Sequence, residues 1–166
     1  MINRRSFIIG IKGTKLNNKE IFFLKKYKPW GVILFSRNLK NIKQIKKLTL
    51  SIRKIFKDKK YPIMIDQEGG KVNRLKNFIL LDNLTSKYFG SIYVKNRREF
   101  NIIYKLFVDK ISNLLLNLGI NLNTVPVLDL RYKGSSNIIG NRSYSRNPRV
   151  VSEIGNLCIK NFRYNS

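Results

Sequence analysis

The chain has 166 residues, 43% of them hydrophobic, and carries 34 Lys and Arg against 9 Asp and Glu, a formal net charge of +25. That composition is too apolar for a disordered segment, its length predicts one domain over residues 1–166, and no run approaches the roughly 20 apolar residues needed to span a membrane. The single Cys158 excludes an internal disulfide, and the absence of His removes the commonest metal ligand and general base, so neither metal nor cofactor is expected.

In chain order, Arg4 and Arg5 imitate the basic head of a signal peptide. Only four apolar residues (Phe7, Ile8, Ile9, Ile11) lie between Arg5 and Lys12, too few for the apolar core of such a signal, so a cytoplasmic protein is expected. Residues 7–11 read as a first strand and 31–35 as a second. The second is apolar on both faces, as a parallel strand buried from both sides should be. Over 39–56, Leu39, Ile42, Ile45, Leu48, Ile52, Ile55 and Phe56 form a helical stripe that leaves Lys40, Lys43, Lys47 and Lys54 to water. Residues 61–65 predict a third strand closed by Asp66. The strongest helical pattern covers 97–118, with Gly119 in the position of a left-handed cap. A fourth strand is predicted over 123–128, ending at Asp129, and a last helix begins at Asn147-Pro148, a capping residue followed by Pro in the first turn. Repeated strand–helix alternation means an α/β protein with a parallel sheet; periodicity leaves open whether that sheet is flat or part of a barrel.

A charge of +25 would ordinarily put nucleic acid first among partners. Here Ile, Lys and Asn dominate and Ala is absent, which a genome rich in A and T explains. The lysines are also scattered along every helix, so nucleic acid ranks low. Weak adhesion to polyanions at low salt is expected whatever the function.

The segment Asp66-Gln67-Glu68-Gly69-Gly70-Lys71-Val72-Asn73-Arg74 is the most informative. A carboxylate at the end of a buried strand, followed by two glycines, is where α/β proteins place ligand contacts; a tight turn with a capping Asp is the plainer reading. Asp66 and Glu68 are not the paired acids of a glycosidase. Such acids flank the scissile bond about 5 to 9 Å apart, and two groups at one strand end would approach a sugar from the same side. Gly10-Ile-Lys-Gly13 lacks the third glycine of a dinucleotide fingerprint, Lys71 is not followed by the Ser or Thr of a phosphate loop, and no His could activate a serine.

Ile65 through Arg74 resembles the "DQEGGRVQR" signature of family 3 glycoside hydrolases, with Lys71 in place of the usual Arg. Gly31-Val-Ile-Leu-Phe35-Ser36-Arg37-Asn38 is similar to that family's "GxILFxRN", Val125 through Asp129 to its "APVLD", and Ile139 through Tyr144 to its "IGxRSY". Four motifs in order cover nearly the whole chain, and the single-domain bacterial β-N-acetylhexosaminidases of cell-wall recycling match best. The resemblance implies a (β/α)8 TIM-type barrel, of which these residues form an incomplete N-terminal half, since a full barrel takes about 250 residues.

It further implies that Asp66 accepts hydrogen bonds from sugar hydroxyls and that Arg74 and Arg142 clamp the same N-acetylglucosamine-containing saccharide, as an ionised carboxylate and rigid guanidinium forks are suited to do. The family's acid/base His, in a "KHFPGHG" segment, and its Asp nucleophile lie beyond Ser166, so no catalytic residue is expected here. Losing a positioned general acid costs on the order of 10² to 10⁴ in rate. The expectation is therefore an inactive, truncated β-N-acetylglucosaminidase. The alternatives are one half of a split enzyme, completed by a C-terminal half on another chain, and a basic nucleic-acid-binding module.

Overall fold

The computed structural model describes residues 4–132, 134 and 136–165, which divide into two compact units, 1–66 with 114–123, and 67–113 with 124–166. The first unit holds the sheet. Strands β1 (Arg5–Gly10), β2 (Pro29–Leu34), β3 (Ile63–Ile65) and β4 (Leu122–Asn123) are all parallel and lie in the order β1-β2-β3-β4. A doubly wound sheet reverses its winding direction at a switch point, whereas a barrel adds each strand on the same side of the last. The unbroken order here is the barrel order. Rows run across the sheet in register: Ile9 beside Val32 beside Ile63, and Gly10 beside Ile33 beside Met64 beside Leu122.

Helix α1 (Asn18–Tyr27) starts from a capping box in which Asn17 Oδ1 accepts from the Glu20 N–H while Glu20 accepts from the Asn17 N–H, so two orphan donors are satisfied at once. Helix α2 (Ile42–Phe56) buries Ile45, Leu48 and Ile52 of the predicted stripe, whereas Ile42 is exposed and Leu39 precedes the helix. Val32, Leu34, Ile63 and Ile65 of the strands are likewise fully buried. Both helices end on a lysine with positive φ, Lys28 at 48° and Lys57 at 50°. Glycine is the usual residue there, so neither end carries a sequence signal.

After β2, a 3-10 turn at Ser36–Asn38 ties two strand ends together. Fully buried Asn38 donates to Ile11 O at 3.2 Å and Gly13 O at 2.8 Å and accepts from the Phe35 N–H at 2.8 Å, while Arg37 Nε donates to Ile11 O at 3.0 Å. The Arg37-Asn38 pair thus fixes the loop after β1 to the loop after β2.

The second unit contains α3 (Ser86–Lys95), the body of α4 (Arg97–Asn117) and α5 (Pro148–Tyr164). Its core is aromatic: Phe89, Tyr93, Phe100, Tyr104 and Tyr144 pack with Val108, Val151, Ile154 and Cys158. Phe89 meets Tyr104 edge-on with centroids 4.9 Å apart, and Phe100 stacks on Tyr104 at 4.8 Å, arrangements worth about 0.5–1.5 kcal/mol each beyond simple burial. Asn147 Oδ1 accepts from the Arg149 N–H at 2.9 Å, so α5 starts where its Asn-Pro signal predicts. Gly119 likewise follows α4 with φ +75°.

The fourth strand differs from expectation. Only Leu122–Asn123 pair, and residues 124–130 run without a ladder. Pro126 has no N–H to donate to a sheet, and the apolar side chains that suggested a strand are used otherwise: Val125 packs on the aromatic core and Leu128 lies against Gly155 of α5.

Burial pushes the Tyr104 and Tyr144 phenols up, and the Cys158 thiol up to about 11 from an ordinary 9.0. A group whose folded pKa is raised is held protonated by the fold, so its contribution to stability is complete below the ordinary value and disappears as pH climbs through the folded one. At about pH 9, where about half of a free thiol is ionised, iodoacetamide should therefore leave native Cys158 unmodified and alkylate it promptly in urea. Equal rates in the two states would contradict the burial of that thiol. Among the described residues, no helix is long and apolar enough to cross a membrane, and no three His, Cys, Asp or Glu side chains are grouped to hold a metal ion.

Candidate functional site

Asp66 is the residue immediately after β3, half-buried at the carboxyl end of the strand and part of the first unit. The chain enters the second unit at Gln67, and the next nine residues are held by their own backbone and by two buried amides. Glu68 N–H and Gly69 N–H both point at Val72 O (3.0 and 3.3 Å), and Val72 N–H returns to Gly69 O at 3.2 Å. The turn needs its glycines. Gly69 has φ +96°, and a Cβ there would lie 2.3 Å from Leu84 O; Gly70 has φ +55°, and a Cβ would lie 2.7 Å from Thr85 Cγ2.

The backbone around Arg74 is fixed by an amide lock. Gln67 Nε2 donates to Asn73 Oδ1 at 2.9 Å, Asn73 Nδ2 donates to Ile79 O at 2.8 Å, and the Leu75 N–H is shared between Gln67 Oε1 and Asn73 Oδ1 at 3.1 Å each. Gln67, Asn73 and Leu75 are all buried, so the bonds among these three form out of water, where leaving one unmade is costly. Half-buried Arg74 stands between two of the locked residues.

Arg142 ends a 3-10 turn, Gly140–Arg142, in the same unit. Its Nε and Nη2 donate to the two carboxylate oxygens of Glu68 at 2.9 and 2.8 Å, a bidentate pair whose side chains are 7% exposed for Glu68 and 25% for Arg142. The residues that follow anchor it. Ser143 Oγ lies 2.7 Å from Asp129 O and 3.0 Å from Ser145 O, and the Tyr144 hydroxyl lies 2.9 Å from that of Tyr104. Tyr144 O fits against α3 only because residue 90 is glycine: a Cβ on Gly90 would lie 1.8 Å from it.

The three residues expected to grip a sugar are thus carried by strand ends and loops, Asp66 by one unit and Arg74 and Arg142 by the other. Sequence reasoning passed over the groups that hold the two arginines: Glu68, weighed only as half of a carboxylate pair, and Gln67, Asn73, Ser143 and Gly90. Two amides bracketing Glu68-Gly-Gly were the visible signal for the lock.

Residues 6–165 match the Glycosyl hydrolase family 3 N terminal domain. The chain belongs to this family. Among its curated relatives, the β-hexosaminidase of Hydrogenovibrio crunogenus is 33% identical over 134 residues, which are 80% of this chain and 36% of that protein. That of Neisseria meningitidis serogroup C is 37% identical over 126 residues, 75% of this chain and 34% of its own. Crystalline NagZ from Neisseria gonorrhoeae, solved in complex with N-trifluoroacetyl-D-glucosamine, superposes with a TM-score of 0.87 at 30% identity, covering 99% of this chain and 48% of that one. The chain therefore resembles family 3 β-N-acetylhexosaminidases and spans between a third and a half of these three.

Proposed function

We propose that this family 3 domain carries the sugar-gripping part of a β-N-acetylhexosaminidase site, with Asp66, Arg74 and Arg142 as its contacts to a terminal N-acetylglucosamine. One observation supports this most: within a domain of this family, the Arg142 side chain is held by the Glu68 carboxylate, and the backbone on either side of Arg74 is fixed by the buried Gln67 and Asn73 amides. Functional side chains are held in direction by polar partners of this kind. An ionised Asp66 takes two hydroxyl donors, and each guanidinium offers donors in a fixed plane. Peptidoglycan fragments in the cytoplasm are the proposed source of the sugar.

These residues are not proposed to cleave it. The chain has no His to move a proton, and Glu68, the carboxylate nearest Asp66 in sequence, is committed to Arg142. Protonating the leaving oxygen and attacking the sugar are then left to polypeptide outside these residues, a complementing C-terminal half among the candidates.

Asp66→Asn should weaken binding of N-acetylglucosamine by about tenfold or more, because an amide has one acceptor oxygen where the carboxylate has two. Calorimetric titration checks it, and unchanged affinity would remove Asp66 from the site. The purified chain should release no chromophore from a nitrophenyl N-acetylglucosaminide; turnover at the usual enzymatic rate of about 1–10³ s⁻¹ would contradict the absence of catalytic groups.

A further inference from the structure

We propose that Glu68 is a positioning and specificity residue of this site: it holds Arg142 in one orientation and cancels its charge, so that the arginine serves neutral hydroxyls and not anions. The inference rests on the sugar-binding reading of Arg142.

The geometry is that of a fork on a fork. Both Glu68 oxygens are engaged, at 2.9 Å by Nε and at 2.8 Å by Nη2, so the carboxylate fixes the guanidinium plane as well as its position. Each partner is itself held by backbone. Glu68 N–H is bonded to Val72 O at 3.0 Å inside the double-glycine turn, and Arg142 N–H is bonded to Ile139 O at 2.8 Å, two residues before the Tyr144 that Gly90 admits. A long side chain tied at both ends loses the rotamer freedom that would otherwise oppose ligand binding.

On a chain of net charge +25, an uncompensated, partly buried guanidinium would be a ready receptor for phosphate or sulfate. Terminal N-acetylglucosamine carries hydroxyls and an amide and no charge, so such a cation would favour the wrong ligands. Pairing with Glu68 makes the local unit neutral while leaving it polar. The negative charge of Glu68 reaches this loop, since it adds to the upward push that burial gives the Tyr144 phenol.

The test titrates the whole chain with N-acetylglucosamine and, separately, with inorganic phosphate, as wild type, Glu68→Gln, Glu68→Asp and Glu68→Gln with Arg142→Gln. Glu68→Gln should weaken the sugar by about tenfold and gain salt-sensitive, saturable phosphate binding that the double variant loses. Glu68→Asp keeps the charge but shortens the reach, so it should weaken the sugar and still refuse phosphate; the phosphate binding gained by Glu68→Gln is what a purely structural lesion would not produce. Should Glu68→Gln fail to fold, Glu68→Asp decides, and wild-type affinity in that variant overturns the proposal. So does a folded Glu68→Gln that binds sugar as wild type does or ignores phosphate. A wild-type chain that ignores the sugar would overturn the sugar-site reading instead; the phosphate arm would then decide alone whether Glu68 screens Arg142.

Discussion

Gly90→Ala should destabilise the chain by about 3 kcal/mol, the upper end of what overpacking typically costs. The sign is informative because helix propensity predicts the opposite: alanine is better than glycine inside a helix by about 1 kcal/mol, and Gly90 sits mid-way along α3. The added Cβ would stand 1.8 Å from Tyr144 O, 2.7 Å from its carbonyl carbon and 3.1 Å from its Cα. Those are backbone atoms, with no flexible side-chain end to swing aside, so the segment carrying Tyr144 must move away from α3. Arg142 is two residues upstream and shares that segment. The denaturant midpoint should fall, and what sugar affinity survives in the folded fraction should fall with it. An alanine variant as stable as wild type, or more so, would mean that Tyr144 does not rest on α3 as described.

Asn73→Ala should have a comparable effect for a different reason. Asn73 is 8% exposed and makes three polar contacts, to Gln67, Leu75 and Ile79. Alanine takes the Asn73 partner from the buried Gln67 Nε2 and from the half-buried Ile79 O. Each orphaned group costs about 1–3 kcal/mol, so a total loss of about 3 kcal/mol is expected. The loss should be local. Limited proteolysis should cut within residues 67–84 at denaturant concentrations where the helical core still resists, and the backbone that carries Arg74, between the two locked residues, should lose its restraint. If the variant is cut no faster than wild type in that window, the amide pair does not organise the loop.

Much of the fold could be read from the sequence because its cause is local. The stripe on α2, the Asn-Pro start of α5 and the glycine after α4 each act within a few residues of where they appear. The misses divide by mechanism. Helix α1 was readable and passed over: Asn17 and Glu20 stand at capping-box spacing before an apolar run. Helix α3 was harder, because Gly90 in its middle argues against a helix until Tyr144 is seen to need the space. The strand predicted over 123–128 failed because alternating apolar residues serve an irregular segment packed on α5 as well as they serve a sheet.

The site follows the same division. Asp66, Arg74 and Arg142 came from motif resemblance, which carries residue types but no partners. Glu68 and Arg142 lie 74 residues apart, and nothing local to either announces the pair. A carboxylate near a strand end looks the same in sequence whether it meets a sugar or an arginine. Only the fold shows that Asp66 follows β3 directly while Glu68 is turned to Arg142 beside the double-glycine turn.

The most direct measurement is a titration of the isotope-labelled chain with N-acetylglucosamine, followed by backbone and arginine side-chain resonances. A sugar gripped by Asp66, Arg74 and Arg142 predicts that residues 66–75 and 139–144 shift along one common saturation curve, and that Asp66→Asn flattens it. Resonances that stay still at every sugar concentration, or that move only along the lysine-rich surface of α2, would contradict the account.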